Sequence, residues 1–310
     1  MSRRRRVLAT FFALLAVAGS AVSQPASAAD DVATVNGTSI TSDDITDIVD
    51  ALVGSDIGWV VDPANDTIAG DQARLVVATL ITNELGVQFA EQYDIDESAD
   101  FDRDTASEVL DGEGGASLTG AAREMVIDQI YRSEQRASSS MAFDVASHGE
   151  QYNGDPISLG VVCARLMTFP DEGDANDAAD ALRAGASAED ASAEFGAEAG
   201  TTDVQCLSVV ELTQFAPALL AGFSDASGGS VFDPLPGSSG FQVVQVPTFD
   251  DVATPLQDFF DNPVATASGE TPSAAQLLFD GYMISADVTV NARYGRWDPL
   301  TGSVVALGQP

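Results

Sequence analysis

The feature that most constrains this chain is the apolar run SLGVVCARLMTF at residues 158–169, in which Arg165 is the single charged side chain. It reads as a buried strand, and the segments after it have to cover it. Two short helical patterns follow, at 175–184 and 188–195. A second apolar run, VQCLSV at 204–209, and a helix around 215–223 come next. The stretch closes on GFQVVQV at 240–246, which alternates apolar and polar residues as a half-exposed strand does. Strand, helices, strand, helix, strand is the order of a small α+β domain.

The 310-residue chain has room for this domain and at least one more. Its N-terminus predicts export. Arg3 to Arg6 form a basic head, residues 7–18 an apolar segment too short to span a bilayer comfortably, and Ala26-Ser27-Ala28 a small-x-small cleavage site. A twin-arginine reading of Arg4-Arg5 is the less favoured alternative. No cysteine lies near the cleavage site to carry a lipid, and no later run reaches membrane-spanning length. The processed chain is therefore expected to leave the cytoplasm without stable membrane insertion, whether released, wall-associated or periplasmic.

Charge narrows the partners. The sequence holds 48 acids against 13 bases, a net charge of −35. Every base is Arg, and four of them precede the cleavage site, so the processed chain carries 9 − 48 = −39. Nucleic acids and anionic membrane surfaces would be repelled. The acids form either a general surface property or, less expectedly, a site for cationic ligands. The two cysteines, Cys163 and Cys206, sit one on each apolar run. In an exported chain they predict one disulfide, with two buried thiols as the alternative. One His and two Cys make no convincing zinc site, and no cofactor fingerprint is present.

Before the central stretch, VATVNGTSI at 32–40 predicts a hairpin turning at Asn36-Gly37. Thr41 or Ser42 caps a helix with Ile45, Ile48, Val49 and Leu52 on one face. Residues 54–70 read as a loop. Long amphipathic helices are predicted at 72–93 and 118–136, the second with Gln129 on its apolar face, and a shorter one at 141–152. The turn at Asn153-Gly154-Asp155-Pro156 is the best candidate boundary. Asp100, Asp102 and Asp104 have the spacing of a calcium loop, but Thr105 stands where such a loop needs Gly and Asp111 where it needs Glu, so a solvated acidic linker is the favoured reading. His148 has no partner in the sequence that would make it a general acid. Beyond the central stretch, helices are expected at 250–260 and 273–283 and a strand at 286–290. Arg293 and Arg296 in the aromatic tail are expected to clasp acidic neighbours.

Taken in order, these pieces resemble a known family. VATVNGTSITSDDI at 32–45 is similar to the opening of SurA- and PrsA-type extracytoplasmic chaperones. Residues 158–246 resemble a parvulin (PpiC-type) prolyl isomerase domain. The likeness there rests on Ala164-Arg165 in the opening strand, the Ala-rich helix ending at Gly185, AEDASAEF at 188–195, Phe215 with Ala218-Leu219, and Val231, Pro234 and Gly240-Phe241. VNARYGRWD at 290–298 resembles the tails of actinobacterial members.

The resemblance implies an α+β architecture: signal peptide 1–28, a SurA-N-like helical module at 29–153, an inserted parvulin-like domain at 154–248, and a C-terminal segment 249–310 packing back on the helical module. It implies unfolded or nascent exported polypeptides as partners, and no cofactor or metal. It also implies a pocket centred on two His, one per strand, plus a Cys or Asp. Here the His positions fall on Leu166 and Gln242. The Cys/Asp position falls near 195–197, where neither residue occurs. The remaining lining is Met167, Phe215, Phe223, Ser239 and Phe241, and Cys163 with Cys206 is the disulfide. The expectation is a folding factor that binds unfolded or proline-containing segments through a pocket without its His pair. The alternative is an active peptidyl-prolyl cis-trans isomerase with a rearranged pocket.

Overall fold

The computed structural model describes residues 31–53, 61–62, 67–95, 101–198, 202–237, 239–265 and 271–308. Residues 1–28, expected to be an export signal, lie outside them. The chain is mixed α+β and divides into two compact units, Met1–Ser139 with Ala286–Pro310, and Ser140–Ser285.

The first unit opens with the expected hairpin, β1 (Ala33–Val35) and β2 (Thr38–Ile40). Both turn residues, Asn36 (φ 48°) and Gly37 (φ 87°), take the left-handed conformation that two-residue hairpins need. Helix α1 (Ser42–Val53) buries Ile45, Ile48 and Leu52. In its first turn, the Asp44 carboxylate accepts from the Thr41 amide and hydroxyl, both at 2.7 Å. A two-residue pair, β3 (Val61–Asp62) with β4 (Thr67–Ile68), occurs where sequence suggested only loop.

Helix α2 (Gly70–Gln92) buries Val76, Val77, Ile81, Leu85 and Phe89. Gln88, on the same helix, donates to the Val35 carbonyl and accepts from Asn36, tying α2 to the hairpin. Helix α3 (Arg103–Gly112) starts at Asp102, whose carboxylate accepts from the Thr105 amide at 2.8 Å. Helix α4 (Gly120–Ser138) carries the expected stripe of Ala122, Met125, Val126 and Ile130. Gln129 interrupts it, with a buried Oε1 that has no hydrogen-bond partner among the described residues.

Where an acidic linker was the favoured reading, the chain from Arg103 to Gly112 is helical. Asp100 lies outside the described residues, and Asp104 to Asp111 are wound into α3. Arg123 pairs with Asp111 at 2.7 Å and holds its carboxyl below the usual range. Asp102 is lowered in the same direction by the Thr105 amide and hydroxyl.

In the second unit, the helix expected at 141–152 begins late. A 3-10 turn, Val145–His148, precedes α5 (Gly149–Gly154), because Asp144 caps the turn through the Ala146 amide. His148 serves locally, with its ring 4.4 Å from that of Phe143. Another 3-10 turn, Pro156–Leu159, leads into β5 (Val161–Phe169). Helices α6 (Glu172–Arg183) and α7 (Ala188–Phe195) follow, then β6 (Gln205–Ser208).

The helix expected at 215–223 is two helices, α8 (Val209–Phe215) and α9 (Pro217–Phe223). Pro217 cannot continue a helix but fits the first turn of a new one. Ser208 and Glu211 form a reciprocal capping box that starts α8 just after β6, worth about 1 kcal/mol. Strands β7 (Leu235–Pro236) and β8 (Phe241–Gln245) complete an antiparallel sheet of order β6-β5-β8-β7.

Helices α10 (Phe249–Asp261) and α11 (Ala274–Ser285) belong to this second unit. The division therefore falls at Ser139/Ser140 and not at the 153–156 turn, and these helices do not join the first unit as residues 249–310 were expected to do. Two sets of contacts explain it. Gln257 of α10 accepts from the Val145 amide and donates to the Phe143 carbonyl, both at 3.0 Å, and Phe260 stacks on Phe143 at 4.6 Å. Gly281 of α11 meets Gly160 with no room for a side chain on either.

The chain then returns to the first unit. Strand β9 (Val288–Val290) pairs antiparallel with β1, placing β1 at the centre of a β2-β1-β9 sheet. A final hairpin joins β10 (Arg296–Asp298) to β11 (Ser303–Val305). Arg293 stacks on Tyr294 at 4.8 Å and donates to the Ser42 hydroxyl at 3.2 Å, a clasp on a neutral group where acidic neighbours were expected. No described helix is long and apolar enough to cross a membrane.

Candidate functional site

The register of the second unit's sheet sorts the candidate residues. Leu166 pairs with Val244 and Thr168 with Gln242. Side chains alternate along a strand, so Leu166, Thr168, Gln242 and Val244 share one sheet face. Leu166 and Gln242, the two expected His positions, are diagonal neighbours on it, roughly 7–8 Å apart at the backbone. The same alternation adds Val162, Ala164, Gln205, Leu207 and Leu235 to this face. None of these side chains ionises. That is unusual in a chain where 61 residues are Asp, Glu or Arg (48 + 13).

One end of this face is filled. Leu212, Leu220 and Phe223 from α8 and α9 pack with Val162, Ala164, Val244 and Val246 in a buried cluster. Phe223 is only 2% exposed and its ring lies 5.1 Å from that of Phe232. It anchors α9 and is not available to a ligand as expected. Towards the other end Leu166, Leu219 and Phe232 are half-buried, Gln242 is half-exposed, and Leu235 is 36% exposed. Ser239 is exposed in the turn before β8. The side chain of Phe215 lies outside the described residues.

Met167 and Phe241 point the other way. They pack with Phe169, Val243 and the alanines of α6 and α7 in a second cluster. Met167 is fully buried there. The sequence reading gathered it with Leu166, but neighbours along a strand lie on opposite faces, so the two cannot line one pocket.

This second face also holds the polar interior. The Tyr152 hydroxyl donates to the Cys163 carbonyl at 3.4 Å. Burial pushes its phenol far above the ordinary value, against the pull of the Arg165 guanidinium, so it remains a protonated donor. Arg165 donates to Gln245 at 3.2 Å and lies 3.8 Å from Asp251.

Cys163 and Cys206 are directly opposite in the β5–β6 register and form the expected disulfide, with Cα atoms 4.0 Å apart. The segment where the resemblance puts a Cys or Asp, and where this sequence has neither, contributes Phe195 and Ala197 to the helical cluster. Just beyond it, the Glu198 amide donates to the Thr168 carbonyl at 2.8 Å. This backbone contact leaves no motif in the sequence. Among the described residues no three His, Cys, Asp or Glu side chains converge as a metal site.

No protein-family model matches the sequence, and no curated protein matches it significantly. Among solved structures the chain is similar to PrsA from Bacillus subtilis, whose crystal structure is 13% identical, with 74% of this chain and 93% of that chain covered and a TM-score of 0.27.

Proposed function

We propose that this chain is an exported folding factor whose second unit is an inserted parvulin-like domain that holds unfolded, apolar or proline-containing segments without isomerising them efficiently. The observation that carries the reading is the shared sheet face of Leu166 and Gln242. The resemblance puts catalytic His at these positions. The β5–β8 register makes them neighbours on a surface that is partly exposed, apolar and free of ionisable groups. Leu166, Leu219, Phe232 and Leu235 offer a peptide apolar contact, and the Gln242 carboxamide and Thr168 hydroxyl offer it hydrogen bonds.

Twisting a prolyl amide requires interactions that strengthen as its resonance is lost. A face without the paired imidazoles retains binding groups and lacks that differential. The disulfide fits an oxidising compartment.

Suppression of aggregation of an unfolded client tests the surface. Leu235→Asp and Leu166→Gln each place a polar group on it, and each is expected to weaken holding about tenfold while leaving β5 and β8 protected from hydrogen exchange. Unchanged holding by both variants contradicts the reading.

A further inference from the structure

The first unit contains a half-open groove of about 500 Å³ between β2, α1, α2 and α4. Its floor is apolar: Ile40, Ile48 and Met125 are buried, and Leu80 and Val87 half-buried. Its rim is acidic, with Asp44, Asp47, Glu84, Glu124 and Asp128. Two cations offset part of this charge. Arg103 bridges Glu124 and Asp128 from outside the groove, and Arg132 lines it while lying over the Tyr131 ring and donating to Gln135. The groove therefore stays negative. A volume of this order accommodates a few side chains.

We propose that this groove holds segments of unfolded client chains in which Lys or Arg stands beside apolar residues. The inference rests on the chaperone reading above and supplies its first unit with a client class. The apolar floor removes aliphatic and aromatic side chains from water. The rim carboxylates complement the cations flanking them, which speeds encounter and rejects acidic segments. A long Lys or Arg side chain suits both parts, since its stem lies on apolar surface while its charge stays at the wet rim. Nucleic acids and anionic lipids are rejected by the sign of the rim.

Three labelled peptides of equal length on a Gly/Ser background test this with the full processed chain by fluorescence anisotropy. One carries Lys and Leu, one Glu and Leu, and one Lys with Ser in place of Leu. The Lys/Leu peptide is expected to bind, and the other two to bind much more weakly. Asp47→Asn combined with Glu84→Gln should weaken Lys/Leu binding about fivefold. Asp177→Asn with Glu194→Gln removes two exposed acids of the second unit and should change nothing.

Equal binding of the Lys/Ser peptide overturns the proposal in favour of plain polycation attraction. Lys/Leu binding unaffected by the groove pair overturns it as well, and if Leu235→Asp still impairs holding, the chaperone reading survives alone. Failure of every peptide to bind, together with no suppression of client aggregation, overturns both.

Discussion

Gly160→Ala is expected to destabilise the second unit by about 4 kcal/mol, a large part of the ~5–15 kcal/mol that holds a typical domain together. Two costs add. Gly160 sits at φ 72°, where a side chain costs about 1–2 kcal/mol. A Cβ there would lie 1.7 Å from the Leu277 carbonyl oxygen, a backbone atom of α11 that cannot rotate away. Gly281→Ala meets the same contact from the helix side, 2.2 Å from the Gly160 nitrogen and 2.4 Å from the Ser158 carbonyl oxygen, and should be comparably damaging. Two other glycines separate the causes. Gly185 (φ 97°) has nothing within 4 Å of its Cβ position, so its alanine variant should lose only the conformational part, about 1 kcal/mol. Gly154, with an open Cβ position and an ordinary backbone, should tolerate alanine within about 0.5 kcal/mol. Hydrogen exchange of β5 and β8 amides in denaturant measures the series. A Gly160 variant as stable as the Gly154 variant would show that α11 does not dock on the 156–160 turn.

The second large effect is expected from the disulfide. Replacing Cys163 and Cys206 together by Ser should cost about 4 kcal/mol, because the bridge closes a loop with a sequence separation of 43 that contains α6 and α7. Local contacts give little compensation. β6 has four residues, lies at the sheet edge, and leaves Leu207 38% exposed. Exchange should therefore rise first in β6 and at the start of α8, and reducing agent should have the same effect on the unchanged protein. Equal stability with and without the bridge would place the holding force of this edge in the Ser208–Glu211 cap and the packing of Val209 and Leu212.

Much of the local structure was legible because it is local. Asn36-Gly37 specifies its turn, and the spacing of Val76, Ile81, Leu85 and Phe89 specifies α2. The two cysteines paired as expected because each occupies a strand of one sheet. The break between α8 and α9 had a signal in Pro217, masked by the apolar stretch 215–223 around it, and the start of α8 had one in Ser208 and Glu211, masked by the apolar run through Val209. What sequence could not provide is register. Leu166 and Met167 differ by one position, and only the pairing with β8 assigns them to opposite faces. The boundary at Ser139/Ser140 has a similar origin. It depends on Gln257 reaching the 143–145 segment and on Gly160 meeting Gly281, contacts between residues more than a hundred positions apart. The acid-rimmed groove is built from three helices and a strand whose separate sequences show only ordinary amphipathic faces.

We propose that the face bearing Leu166 and Gln242 binds polypeptide without accelerating prolyl isomerisation. Isomerisation of a proline-containing test peptide, uncatalysed over tens to hundreds of seconds, measures this directly in the presence of residues 29–310. The spontaneous rate is expected at protein concentrations that fully suppress client aggregation. A clear acceleration that disappears in Gln242→Ala would contradict it and establish a working isomerase on the same face.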